Sequence, residues 1–143
     1  MYRTMLVALD GLGGAHAALR RAVLLASEGV RLLHAVAVED HLPRYAATVS
    51  EMQEAREERD AFFAQVMEEA KSVAAAQQVE LRVEVLAGHA AQTIVQHAQR
   101  IGTDLIVLGH SGHSSVWGNL LGTTADKVAH HAPCDVLIVH TVG

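Results

Sequence analysis

Residues 109–124 read GHSGHSSVWGNLLGTT and concentrate groups able to hold a phosphate. Gly109, Gly112 and Gly122 let a backbone turn tightly and come close to a ligand. Ser111, Ser114, Ser115, Thr123 and Thr124 add hydroxyl donors. The segment feeds a helical pattern, and the first amides of a helix attract anions. On these residues alone, a phosphate cradle and a surface loop with incidental glycines are equally good readings. The second unusual segment is Asp10-Gly11, at the end of the apolar run MLVALD. Taken by itself, that dipeptide is first of all a turn.

Several named chemistries fail on a required residue. A P-loop needs Lys beside its last glycine, and Gly122 is followed by Thr123. DGLGGAH starts like a dinucleotide fingerprint, but His16 stands at the third glycine position. GHSGH resembles a hydrolase elbow centred on Ser111, with Asp126 or Asp135 and a later histidine as partners. That pattern needs glycine where His113 stands, and the chain has no room for the usual hydrolase sheet and cap, so a serine hydrolase is the remote alternative. A phosphoacceptor receiver needs an acid ending the third strand and a lysine ending the fifth; the chain has Ala87-Gly88-His89 and His140-Thr141.

The ten histidines do not assemble a metal site from their spacing. Neither His110-x2-His113 nor His130-His131 has Cys or carboxylate partners at ligand spacing. His34 and His97 fall inside apolar patterns and are expected in the core or at its boundary. His110 and His113 are positioned to titrate against a phosphate. Cys134, after Pro133, is expected to be a small buried apolar residue, and Trp117 either covers the glycine-rich loop or is simply buried.

The elements that must carry these residues alternate in period. MLVALD (5–10) is a nearly continuous apolar run, the pattern of a strand buried on both faces. Residues 15–28 place Ala15, Ala18, Leu19, Ala22, Leu25 and Ala26 on one helical stripe, and Gly29 stops it. LLHAVAV (32–38) is a second buried strand, and the stretch 40–50, with Pro43, is a loop. A long helix is expected over about 51–78, with Met52, Ala55, Phe62, Val66, Ala70 and Val73 on its inner face. LRVEVLA (81–87) alternates apolar and charged residues, which suits an edge strand. A helix over about 90–100 follows, then the strand DLIVLG (104–109). The last helix carries Leu121, Ala125 and Val128, and DVLIVH (135–140) is the fifth strand. Strands alternating with helices give a five-stranded parallel doubly wound α/β sheet with helices on both faces. Ligands bind such sheets outside the carboxyl ends of the strands, where strand order reverses. Asp10 and the 109–124 segment meet there if the first and fourth strands are neighbours.

Composition narrows the partners. The chain has 143 residues, enough for one domain (1–143) and too few for two comfortable cores. Net charge is −5, and the block 51–80 alone holds eight acids against three bases. The 11 Lys and Arg are scattered, which disfavours DNA or RNA. Its 24 alanines raise the mean hydropathy without a membrane-spanning run. One cysteine makes no internal disulfide, and a cytoplasmic protein is the expectation.

The spacing Gly109-x2-Gly112-x9-Gly122-Thr123 resembles the G-x2-G-x9-G-[S/T] ATP-binding motif of the universal stress protein family. MLVALDG, VLAGHAAQTIVQHAQRIGTDLIVLG and LLGTTADKVAHHAPCDVLIVH resemble that family's first strand, its third strand through fourth strand, and its final helix and strand. The resemblance spans essentially the whole chain. It implies the strand order 3-2-1-4-5 of the Rossmann-like, adenine nucleotide alpha hydrolase-like fold. It also implies that Asp10 holds the adenine–ribose end of ATP, with Ala8 and Val38 lining the base pocket and Leu9 among the nucleotide-binding residues. Leu108, Gly109, Gly112, His113, Gly122, Thr123 and Thr124 are implied to hold ribose and phosphates.

Two departures stand out: Leu12 where the family usually has a small hydroxyl residue, and His113 where it often has Lys or Arg. A neutral imidazole offsets less phosphate charge than a fixed cation, so modest, pH-dependent affinity or reliance on Mg²⁺ is expected. No arginine finger and no clear base accompany the glycines, so at most a weak ATPase is expected. The resemblance also implies a homodimer through strand 135–140. A dimeric interaction protein of the same fold without nucleotide is the alternative; the intact glycines favour ATP.

Overall fold

The apolar runs form strands and the stripes between them form helices, in strict alternation. In a computed structural model, residues 2–9, 13–30, 32–39, 48–110 and 123–140 are described. The elements are β1 (Thr4–Ala8), α1 (Gly13–Ala26), β2 (Leu32–Glu39), α2 (Val49–Ala76), β3 (Leu81–Ala87), α3 (Ala90–Ile101), β4 (Leu105–Gly109), α4 (Thr123–His131) and β5 (Asp135–Val139). All four strand pairings are parallel and the order is β3-β2-β1-β4-β5. The expected doubly wound sheet is therefore found, with β3 at an edge as its alternating charge required.

Two-residue alternation divides the core. Met5, Val7 and Leu9 pack with Leu33, Ala35, Ala37 and the inner faces of α1 and α2. Leu6, Ala8, Val36, Ile106 and Leu108 face the other way, against Ile94 and Ala98 of α3 and Ala125 and Val128 of α4. Residues 5–8 of β1 and 105–108 of β4 are buried, and all of them are apolar; the one polar residue, Thr4, sits at the half-buried amino end of β1.

The long helix departs from expectation in its register. It starts at Val49, with Thr48 as N-cap accepting the Glu51 amide at 3.0 Å. Phe62 is 42% exposed, and Phe63 takes its place against the core with Val66, Ala70 and Val73. Ala55 is also exposed. The stripe 63, 66, 70, 73 fits a 3.6-residue turn, and only the last turns of this 28-residue helix lie over the sheet. Leu121, expected on the last helix, lies outside the described residues. Cys134 is half-buried against the α3–α4 layer, not fully buried, and burial raises its thiol pKa, with Asp135 adding to the effect.

The amino ends of β1 and β4 are tied by one carboxylate. Asp104 Oδ2 accepts the Arg3 amide at 2.9 Å and Oδ1 accepts the Thr4 amide at 3.2 Å, while the Asp104 amide donates to the Thr4 carbonyl. Replacing Asp104 by Ala strands two amides that bond a charged acceptor, and should lower unfolding stability by about 1–3 kcal/mol. A urea midpoint within error of the parent would contradict that role.

His34 and His97 are both buried, as their apolar surroundings implied. They sit on the α3 side of the sheet, ring centroids 6.4 Å apart, with His97 Nε2 3.4 Å from Glu84 Oε2. Arg82 pairs in register with His34 on the neighbouring strand. Burial lowers the His34 pKa; Arg82 and His97 push the same way, and Glu84 opposes them. The unfolded chain thus binds a proton at His34 that the folded chain resists. Stability should fall as pH drops below the ordinary imidazole value of about 6.5. His34→Leu should shrink the difference between urea midpoints at about pH 7.5 and 5.5; an unchanged difference would assign it to other groups.

Candidate functional site

β1 lies between β2 and β4, with Met5, Leu6 and Val7 opposite Leu105, Ile106 and Val107. The chain leaves β1 toward β2 and leaves β4 toward β5, so the two crossovers diverge. In doubly wound sheets such a divergence, here above the carboxyl ends of β1 and β4, marks the place where ligands are taken.

The residues at these strand ends are ordered by the alternation already described. Ala8, Val38 and Leu108 belong to one apolar cluster on the α3–α4 side. Leu9 belongs to the opposite layer, its amide donating to the Val36 carbonyl at 2.7 Å. Gly109 ends β4 opposite Val139, and Thr123 and Thr124 open α4, so the first amides of that helix face the same end of the sheet. Asp10, Gly112, His113 and Gly122 lie outside the described residues. The structure thus brings Ala8, Val38, Leu108, Gly109 and Thr124 to one rim and places Leu9 beneath it.

Two features of this rim are absent from the motif reading. The His110 ring stacks on His140 at 4.7 Å and 20°, and the His110 amide donates to the Val139 carbonyl at 2.8 Å. A signal existed in the sequence: both histidines directly follow strands that end side by side. Gly88, between β3 and α3, has φ +143, and a Cβ there would stand 2.6 Å from Thr93 Oγ1. Only glycine suits that turn, which delivers α3 to the rim.

The donor set fits an adenine nucleotide in kind. An apolar face formed by Ala8, Val38 and Leu108 suits a base, and the start of α4, with Thr124, suits phosphate. Asp126, in the first turn of α4, has His130 3.6 Å away. Among the described residues there is no cluster of three or more His, Cys, Asp or Glu able to hold a metal, and no helix long and apolar enough to cross a membrane.

A sequence profile of the universal stress protein family matches residues 1–140. The chain belongs to the universal stress protein family. It is 33% identical to the universal stress protein YxiE of Bacillus subtilis over 147 residues, covering 97% of this chain and 99% of that one. Among solved structures, this universal stress protein resembles UspA of Lactobacillus plantarum at TM-score 0.77 and 30% identity, covering 96% and 97% of the two chains. It shares its fold with a universal stress protein solved in complex with cAMP, at TM-score 0.75 and 24% identity over 99% of both chains.

Proposed function

We propose that this universal stress protein binds ATP in the crevice above β1 and β4, hydrolyses it slowly or not at all, and serves as a cytoplasmic stress-response or signalling protein. The observation that carries this reading is the adjacency of β1 and β4. Ala8, Leu108 and Gly109 end these two neighbouring strands, and the glycine motif closes at Thr123, where α4 begins. Asp10 would bind the adenine–ribose end, and Gly112, His113, Gly122 and Thr123 the phosphates, with Mg²⁺ offsetting charge that His113 leaves. The related structure holding cAMP supports an adenine nucleotide as the ligand class. The protein works as a homodimer, paired through β5.

Calorimetry with Mg-ATP should show saturable binding at one site per chain, and cAMP as a second titrant ranks the adenine nucleotides. No heat with either ligand, from a protein with a cooperative melting curve, would leave the dimeric interaction protein without nucleotide as the surviving reading.

A further inference from the structure

We propose that the buried His34–His97 pair is an acid-sensitive latch: proton uptake by these imidazoles releases α3 from the sheet while the strands stay paired. The seat of α3 is small. Its buried residues are Ile94, His97 and Ala98, so a titratable ring takes one of three inward positions on an otherwise apolar stripe. Beneath it, His34 is the one polar residue among the buried positions 33–37 of β2.

The two rings lack partners. His34 Nδ1 and both nitrogens of His97 are buried without a hydrogen bond. Glu84 Oε2 stands 3.4 Å from His97 Nε2, close enough for an ion pair but not placed for a hydrogen bond. Buried polar groups in folded proteins are nearly always partnered, so three such nitrogens at one helix–sheet contact point to a role beyond packing.

The charges around the pair suit neutral rings and not protonated ones. β3 supplies Arg82, in register with His34, and Glu84, two residues further along the same face. β1 sets Leu6 beside His34, and α3 adds the apolar Ile94 and Ala98. Arg100 is exposed in the last turn of α3, and Lys127 and His131 of α4 line a groove with Gln96 and Gln99. Among the described residues, one carboxylate therefore faces two imidazoles and a guanidinium. Doubly protonated, the rings are cations with centroids 6.4 Å apart, inside a Debye length and sheltered from salt by burial.

The element that yields is α3. His34 is fixed by backbone ladders to β1 on one side and β3 on the other, whereas α3 is held by side-chain packing alone. A segment with few buried contacts opens more readily than the sheet beneath it. Burial lowers the His34 pKa in the closed form, and Arg82 and His97 add to the effect. Once α3 lifts, His34 meets water and regains the ordinary value of about 6.5, so the open form gains population as pH falls below that value. At about pH 5.5, an imidazole protonated only in the open form shifts the equilibrium about tenfold. The sheet stays formed, which separates this opening from the pH dependence of global unfolding.

Hydrogen exchange read by mass spectrometry on the full chain at about pH 7.5 and 5.5, corrected for intrinsic amide rates, measures the opening. Amides of α3 should lose protection about tenfold at the lower pH, while those of α1 and β2 keep theirs. The double variant His34→Leu, His97→Leu should remove the difference. Glu84→Gln should enlarge it by deleting the one counter-charge, and Arg82→Gln should reduce it. Both of these side chains lie on the edge strand, so both variants should fold like the parent at about pH 7.5. The proposal is overturned by equal α3 protection at both pH values, by α1 and β2 losing protection together with α3, or by a double variant that keeps the difference. A shift of the same sign in Glu84→Gln and Arg82→Gln would also overturn it.

Discussion

Gly122→Val is expected to abolish ATP binding while the protein still folds. Gly122 immediately precedes Thr123, the first residue of α4, and the proposed site has phosphates meeting backbone amides at this junction. A branched side chain would occupy the space that those phosphates need. Each backbone amide bonded to a charged oxygen contributes about 1.5–3 kcal/mol, so losing two of them removes two decades or more of affinity. Gly122→Ala should fall between the parent and the valine variant. Calorimetry with Mg-ATP reads both, beside a melting curve for each. Parent-like affinity in a folded Gly122→Val protein would sink the phosphate assignment and with it the proposed site.

The dimer should be equally sensitive to one residue of β5. β5 is an edge strand: among the described residues it pairs with β4 alone. Val136, Leu137 and Ile138 are apolar and half-buried, and no charge follows Asp135 in the strand. An uncovered edge of this kind recruits another strand, and a two-fold partner offering the same strand antiparallel satisfies it. Ile138→Lys should therefore drive the dimer to monomer or into aggregates. Its side chain also packs against the α3–α4 layer, so a lysine there weakens the core as well. Ile138→Pro tests the edge when read beside Ile138→Ala, which gives up the same packing but keeps the amide. The Val139 carbonyl accepts from His110, so the amide of residue 138 points away from β4, toward the open edge. Proline at 138 removes that outward amide and leaves the β4 ladder intact. Light scattering should give about 31 kDa for the parent, twice 15.3 kDa, and a value near one chain for Ile138→Pro. A parent that is monomeric at micromolar concentration, or a proline variant that remains dimeric, would rule out this interface.

How much of this was legible beforehand depended on whether a residue's role is local. Strand and helix order could be read from period alone, because residues 5–8 and 105–108 are buried in the sheet and form apolar runs. The edge position of β3 was legible from Arg82 and Glu84, since charge survives only where one side of the strand escapes the sheet. The glycine spacing fixed the candidate phosphate segment, because backbone approach to a ligand depends on residues near one another in the chain. Register was not local. Phe62 and Phe63 are equally apolar, and the lie of α2 over the sheet chose Phe63. Asp104 read as the first residue of a strand, but it caps β1 from 100 residues away. His110 and His140 became a stacked pair because β4 and β5 end side by side. Short-range chemistry and periodicity are written in the chain, whereas contacts between residues far apart in sequence exist only once the sheet fixes which elements are neighbours.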